Sequence, residues 1–270
     1  MDFFNVIFIH PMLNILVACY QLLMWFHIPY ALGFAIILLT ILVRFAMFPL
    51  MHISIKQQKK MQDLQPHINK LKEKHKNDTR AQQMAQMELF KEHGVNPASG
   101  CLIAIVQIPF FIALYNVLIK TVHVKNPVEI NDQLYVVGLR LTHLWDTTFF
   151  GIPLGKTPSE LFSTVGVGIV LVGVITGGLQ LLQSKMMMAA APVAPYAPEP
   201  TSGKKEEDFA TSLQKQMMFM MPLMIGFFAF TLPFGLSLYW NTLTIFGIIQ
   251  QYLVAGWGGL SDWSKYIKRN

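Results

Sequence analysis

The sequence predicts an all-α integral membrane protein with five transmembrane helices, an N-terminal interfacial helix and a cytoplasmic helical hairpin. Apolar residues make up 53% of the 270 and charged residues only 13%, about half the charged share of a soluble domain. With a mean hydropathy of +0.42, much of the chain must have lipid as its solvent. Five windows are long and apolar enough to cross a hydrocarbon core about 30 Å thick, which takes roughly 20 helical residues. The Lys and Arg residues beside those windows lie mostly on one side, which sets an orientation.

The first segment, 1–28, is apolar but interrupted by Asn14, Tyr20 and Gln21. It reads as an amphipathic helix in the external interface, with Trp25 at headgroup depth. A sixth full span is the competing reading. Leu16, Val17, Ala18 and Cys19 match the short consensus before a lipid-modified cysteine. No Lys or Arg precedes them, and His10 and Pro11 interrupt the apolar run, so the match reads as coincidence. Cys19 and Cys101 lie in apolar surroundings and form neither a disulfide framework nor a metal-ligand spacing.

The apolar cores of the five spans are residues 30–50, 101–119, 161–182, 217–232 and 236–254. With their flanking turns the spans become 29–52, 99–120, 160–184, 215–233 and 236–256. Only Pro233, Phe234 and Gly235 separate the fourth core from the fifth, so these two form a tight helical hairpin. Nine basic residues lie between spans one and two: Lys56, Lys59, Lys60, Lys70, Lys72, Lys74, Lys76, Arg80 and Lys91. Lys185, Lys204, Lys205 and Lys215 follow span three, and Lys265, Lys268 and Arg269 end the chain. The other side holds Lys120, Lys125, Arg140 and Lys156, so sixteen against four places the N-terminus outside and the C-terminus in the cytoplasm.

Residues 53–98 read as a coiled-coil hairpin. Met61, Leu64, Ile68 and Leu71 form one seam, Asn77 and Asp78 the turn, and Ala81, Met84, Met87 and Phe90 the return face. Pro66 is expected to kink the first arm. The outer faces are rich in Lys and Gln, which fits either a solvated connector or a docking arm. The loop 121–159, with Trp145, Phe149 and Phe150, reads as an external cap. Residues 185–214 are Ala/Pro-rich and then charged, as in a disordered linker, and 257–270 form a basic tail.

All fifteen Asp and Glu residues and all eight His residues lie outside the five apolar cores. That argues against an ion- or proton-coupled transporter, whose relay needs such groups at depth. Without a His-Glu-x-x-His sequence, an intramembrane metalloprotease has no metal site. A serine-type site has no base within a span. The sequence thus points away from an enzyme, and it implies no cofactor or metal.

Apart from tyrosines, Arg44 is the one ionisable side chain at membrane depth. It sits about seven residues, or roughly 10 Å, from the cytoplasmic end of its helix. The bland reading is a side chain that snorkels to the headgroups. Three polar stripes support another: Thr40 one turn before Arg44; Thr176, Gln180 and Gln183; and Ser237, Trp240, Thr244 and Gln251. Together they can line a wet cavity with Arg44 as its charge, although each stripe alone also fits ordinary interhelical hydrogen bonding. Gln107 and Asn116, nine residues apart, lie on opposite faces of span two. Pro109 and Pro222 interrupt spans two and four, and methionines gather near the cytoplasmic end of span four: Met217, Met218, Met220, Met221 and Met224.

Several stretches resemble a known family. They are 40–50, with Thr40, Arg44, Phe45 and Pro49; 61–66, ending in Pro66; 94–101 and 107–115, with Gly94, Pro97, Gln107 and Pro109; Met221 and Pro222; 233–241, with Tyr239, Trp240 and Asn241; and Gln250 with Gln251. In order and in detail these are similar to the YidC insertases, relatives of the mitochondrial Oxa and chloroplast Albino proteins.

The resemblance implies a bacterial cell-membrane insertase and chaperone whose five helices enclose a hydrophilic groove open to the cytoplasm and to lipid. Arg44 would be the groove arginine, Thr40 its neighbour and Trp240 an aromatic on the last span, with Thr244 alongside. Either Gln180 or Gln183 would be a groove glutamine. Phe111 and Phe228 would mark the slide past which a client helix moves, and the hairpin would be the mobile receiving arm. The implied partners are nascent membrane proteins and the lipid bilayer, with the Sec translocon and the ribosome as further candidates; no specific nucleic-acid sequence is implied. The sequence departs from the family in having neither a large external domain nor a long basic ribosome-binding tail. Two rival classes share the wet cavity: a small-molecule channel or transporter, and a passive assembly factor.

Overall fold

A computed structural model describes residues 2–75, 78–96, 99–187 and 209–261. Most of the linker expected at 185–214 and of the tail expected at 257–270, together with Asn77 of the expected turn, lies outside these residues. The chain forms two compact units. The first comprises Met1–Phe48, Ala104–Gln180 and Leu223–Phe246, and the second Pro49–Ile103, Leu181–Pro222 and Gly247–Asn270.

In the first unit a short turn α1 (Asp2–Phe4) and a π-helical turn, Asn5–Ile9, lead into α2 (His10–Trp25). Pro11 in the first turn of α2 lacks an amide donor, which helps to explain the irregular ladder just before it. α2 closes with Ile28 N–H donating to the Leu23 carbonyl and His27 in the left-handed region at φ 56°. That is a Schellman-type end with histidine where glycine is usual. α3 (Ala31–Ala46) then packs on α2.

Leu13, Leu16 and Val17 of α2 and Leu32, Ala35, Ile36 and Leu39 of α3 recur at steps of one, three and four and are buried together. Ala113, Leu114, Val117 and Leu118 of α7 (Ser99–His123) join this core, as do Leu236 and Tyr239 of α12 (Phe234–Ala255).

The polar residues that argue for an interfacial α2 have partners inside the protein. The Asn14 amide donates to the Gln133 carbonyl at 3.0 Å and accepts from Tyr135 N–H at 2.7 Å. Gln21 donates to the carbonyls of Leu139 and Arg140, and the Tyr20 ring stacks edge-on against Trp145. Asn5–Trp25 is also long and apolar enough to cross a membrane. Its polar residues are therefore no bar to the six-span alternative, because the loop backbone satisfies them.

The loop between α7 and α9 (Pro158–Val165) is folded. It holds a short α8 (Val128–Asn131) and a two-stranded antiparallel sheet, β1 (Thr148–Phe149) against β2 (Ile152–Pro153). Asn131 bonds both the N–H and the carbonyl of Leu141, and Trp145 donates to the Thr121 carbonyl. Phe149 lies over Gly33, where a Cβ would come within 2.0 Å of the ring, so only glycine fits. The loop also covers the start of α12: the amides of Phe234 and Gly235 donate to the carbonyls of Lys156 and Leu154. Two donors that a helix N-terminus leaves without intrahelical partners are thereby satisfied.

α9 starts with a Thr157–Glu160 capping box and passes through a 3₁₀ turn, Gly166–Ile169, into α10 (Val170–Met186). α10 meets α11 (Phe209–Thr231) at Gly173 and Gly226. A Cβ on either glycine would lie 2.9 Å from the other's carbonyl oxygen.

In the second unit α4 (Phe48–Asp63) follows α3 after a break at Met47. Pro49, in the first turn of α4, cannot continue the ladder of α3, so the expected span 29–52 is not one helix. The chain breaks again at Leu64, and α5 (Gln65–Lys74) opens with Pro66 in its first turn. Proline there removes a donor that needs no intrahelical partner, so Pro66 starts a helix and does not kink one. α6 (Thr79–Glu92) is capped by Asp78, whose carboxylate accepts from Ala81 N–H.

Leu64 and Ile68 are buried with Phe90 and Val95, and Met61 and Leu89 pack alongside. Met84 and Met87 are exposed, at 72% and 59%. Of the expected return face Phe90 is buried in the seam, joined by Leu89 and Val95, while Met84 and Met87 stay outside it. At the end of α10, Gln62 donates to the Met187 carbonyl.

Among the described residues three helices are long and apolar enough to cross a membrane: Asn5–Trp25, Ile105–His123 and Pro158–Met186. Counting α3 and α4 as one broken span gives up to four. Phe219–Thr231 is a shorter apolar helix. α12 has the length but carries Ser237, Asn241, Thr244, Gln250 and Gln251, which lower its hydropathy.

Replacing Asn14 with alanine removes the partners of the Gln133 carbonyl and the Tyr135 amide. We expect about 1–3 kcal/mol of destabilisation, read as a lower melting temperature in detergent and faster proteolysis within 126–141. Gly226→Val forces α10 and α11 apart, and we expect about 1–3 kcal/mol of loss in the same melting assay.

Candidate functional site

Arg44 lies one turn after Thr40 on α3, and both are buried, Arg44 to 7% exposure and Thr40 to 1%. The Thr40 hydroxyl donates to the Ile36 carbonyl of its own helix at 2.7 Å. Arg44 Nη2 donates to the Leu243 carbonyl of α12 at 2.9 Å. A carbonyl in a helix keeps a second lone pair for such a bond. The Arg44 Nε is buried with no hydrogen-bond partner. No acidic side chain pairs with Arg44 among the described residues; Tyr239 is the neighbour that interacts with it electrostatically.

Around this charge α7, α10 and α12 supply polar and aromatic groups. Trp240 Nε1 donates to Gln180 Oε1 at 3.3 Å, and its indole meets Phe111 edge-on with centroids 5.7 Å apart. The Gln107 amide donates to the Tyr239 hydroxyl at 2.5 Å, and Tyr239 also lies against Phe111, at 6.4 Å. Thr244, one turn past Trp240, is buried, as are Thr176 and Ser237. Thr176 and Ser237 bond to the carbonyls of Val172 and Ala229. Asn241 Oδ1 is buried without a partner.

All of these residues belong to the first unit. The structure therefore brings Arg44, Thr40, Gln180, Trp240, Thr244 and Phe111 into one unit, with Trp240 joining Gln180 and Phe111 directly. Gln183 and Gln251 belong to the second unit. Phe228 is 40% exposed on α11, and its ring neighbour is Phe227. Sequence reasoning held that Gln107 and Asn116 cannot both face the cavity and gave Tyr239 no role; in the structure Gln107 and Tyr239 form a polar clasp beside Phe111. Their signal was present: two hydrogen-bonding residues within apolar windows and next to motif positions.

A buried arginine with one carbonyl partner and an open Nε–H is an acceptor-poor site. The guanidinium has five N–H donors, and an unpaired buried charge is costly.

Fold and site together define an α-helical membrane protein with, among the described residues, one buried cation in a polar interior. The chain belongs to the family described as 60Kd inner membrane protein, which it matches over residues 24–257. It is accordingly a protein of a bacterial membrane. It is 32% identical over 227 residues to a membrane protein insertase YidC of Oceanobacillus iheyensis, an alignment covering 82% of this chain and 73% of that one. A protein of Bacillus anthracis named membrane protein insertase YidC 2 is 33% identical over 228 residues, covering 83% and 72%. A Geobacter sulfurreducens protein named membrane protein insertase YidC is 32% identical over 222 residues. The matched region is 82% of this chain but 33% of that relative, and 51% of a Streptomyces avermitilis relative of the same name.

Proposed function

We propose that this chain is a membrane-protein insertase and chaperone. In this reading it moves short hydrophilic segments across the bilayer through a groove containing Arg44, while the client's apolar helix leaves into lipid. The name carried by its relatives supports the class. The observation that carries the mechanism is the buried Arg44, held by a single carbonyl with its Nε–H unpartnered.

The topology is five spans with the N-terminus outside and the C-terminus in the cytoplasm, supported by the sixteen-to-four distribution of basic residues. α2 then lies on the outer side beneath the α7–α9 loop. Asn14 is eleven residues from Trp25. If α2 crossed the bilayer upright, its bonds to Gln133 and Tyr135 would draw loop backbone roughly 17 Å inward. Phe8, edge-on against Phe110 thirteen residues before the end of α7, gives the helix an inward slant. The α5–α6 pair is the cytoplasmic arm, with Met84 and Met87 free to meet apolar client segments.

A hydrophilic tail in lipid faces a large desolvation cost. A polar groove shortens the dry distance, and Arg44 offers donors to acidic side chains on the tail. A potential positive outside adds about 2.3 kcal/mol per charge per 100 mV in the outward direction, so no ATP is required. The client helix passes Phe111 and Phe228 into lipid. Nascent membrane proteins are the clients, and the Sec translocon and the ribosome are candidate collaborators.

In proteoliposomes containing the purified protein, Arg44→Ala and Arg44→Glu should reduce insertion of a single-span client with an acidic external tail. Loss of a charge-assisted bond worth about 1.5–3 kcal/mol corresponds to roughly tenfold or more. Unchanged insertion rejects the groove charge. Photo-crosslinkers at Phe111 and Phe228 should capture the client helix, and silence at both positions rejects the slide.

A further inference from the structure

We propose that a pocket at the α2–α3 turn, separate from the Arg44 site, binds the headgroup of an amine-bearing phospholipid of the phosphatidylethanolamine type. The pocket encloses about 470 Å³ between the turn and the loop segment 143–146, within the size range of small-molecule sites. Its walls divide by chemistry. Met24 and Leu144 are apolar members of the lining, while His27, His143 and Asp146 bring nitrogen and oxygen atoms. Tyr20 and Tyr30 also line it.

The charge of this lining selects the ligand. Asp146 is its one acidic residue, and no Lys or Arg lines the pocket. The carboxylate accepts from the Thr148 amide and hydroxyl. Those bonds fix its orientation, and the four lone-pair sites of a carboxylate leave capacity for another donor. A fixed anion among two phenol rings attracts an ammonium group by charge and by cation–π contact. A primary ammonium gains further because it has N–H groups for Asp146 and for the imidazole nitrogens; a quaternary one has none. The imidazoles and phenols can also donate to the adjoining phosphate.

The surroundings identify the source as lipid. Trp25 is 72% exposed and Phe26 60%, with Leu22, Leu144 and Phe150 also exposed. An apolar and aromatic collar at the end of a helix pair is the composition of a membrane interface. Tyr30 holds a left-handed backbone at φ 55°, a conformation that favours glycine and carries strain at a bulky residue. Tyrosine at this position lines the pocket and packs its ring 4.9 Å from that of Phe150, which a glycine could not do.

The test is native mass spectrometry of the purified full chain after exchange into neutral detergent with equal amounts of phosphatidylethanolamine, phosphatidylcholine and phosphatidylglycerol. The ethanolamine lipid should be retained several-fold over the other two. Asp146→Asn, whose amide oxygen still accepts from Thr148, should abolish that preference without lowering the melting temperature. Leu144→Trp should block retention of all three lipids. If Asp146→Asn does not fold, Leu144→Trp decides the question. Equal retention of the three lipids by the wild type, no retention at all, or an intact preference in both variants overturns the proposal. Client insertion is not the readout, so failure here is distinct from failure of the Arg44 mechanism.

Discussion

The bond from Arg44 to the Leu243 carbonyl is the constraint on which the first unit turns. A guanidinium this buried must find acceptors within the protein, and among the described residues the helices around it supply few: one carbonyl, a nearby phenol and no carboxylate. Hydrogen-bonding groups from α7, α10 and α12 gather in the same unit, and most are engaged with one another or with their own helices. Thr40, Thr176 and Ser237 bond to carbonyls, Gln107 to Tyr239, and Trp240 to Gln180. Arg44 is left with a donor that no neighbour uses.

α12 presents the carbonyl that holds Arg44, and the loop between α7 and α9 fixes where α12 begins. That loop is held in turn by Asn14, Gln21, Trp145 and the notch at Gly33. The position of Leu243 therefore depends on bonds made far from it in sequence. An alteration in the loop can reach the guanidinium through the register of α12 without touching any group beside it.

Features governed by local rules were legible in the sequence. Thr40 and Arg44 share a face because they are four residues apart, and the polar stripes that hold Gln180 and Trp240 follow from the same helical spacing. What could not be read was pairing between elements. Gln180 and Gln183 differ by about 60° around a helix, and only the packed structure assigns Gln180 to Trp240. Asn14 and Gln21 look like water-facing residues because their partners, the carbonyls of Gln133 and Leu139, lie 119 and 118 positions away. In the arm, the apolar spacing allows more than one return register, and burial of Val95 with Phe90 selects the one that leaves Met84 and Met87 outside. Pro66 was visible as a breaker, but whether it bends one helix or begins another depends on the chain ending its turn at Leu64.

The contact of Gly173 with Gly226 has a consequence for traffic through the membrane. Two backbones with no room for one methyl group between them leave no gap for an acyl chain or a file of water at that level. The α10–α11 joint is in effect a weld at that level, and a side chain larger than hydrogen on either glycine would have to prise it open.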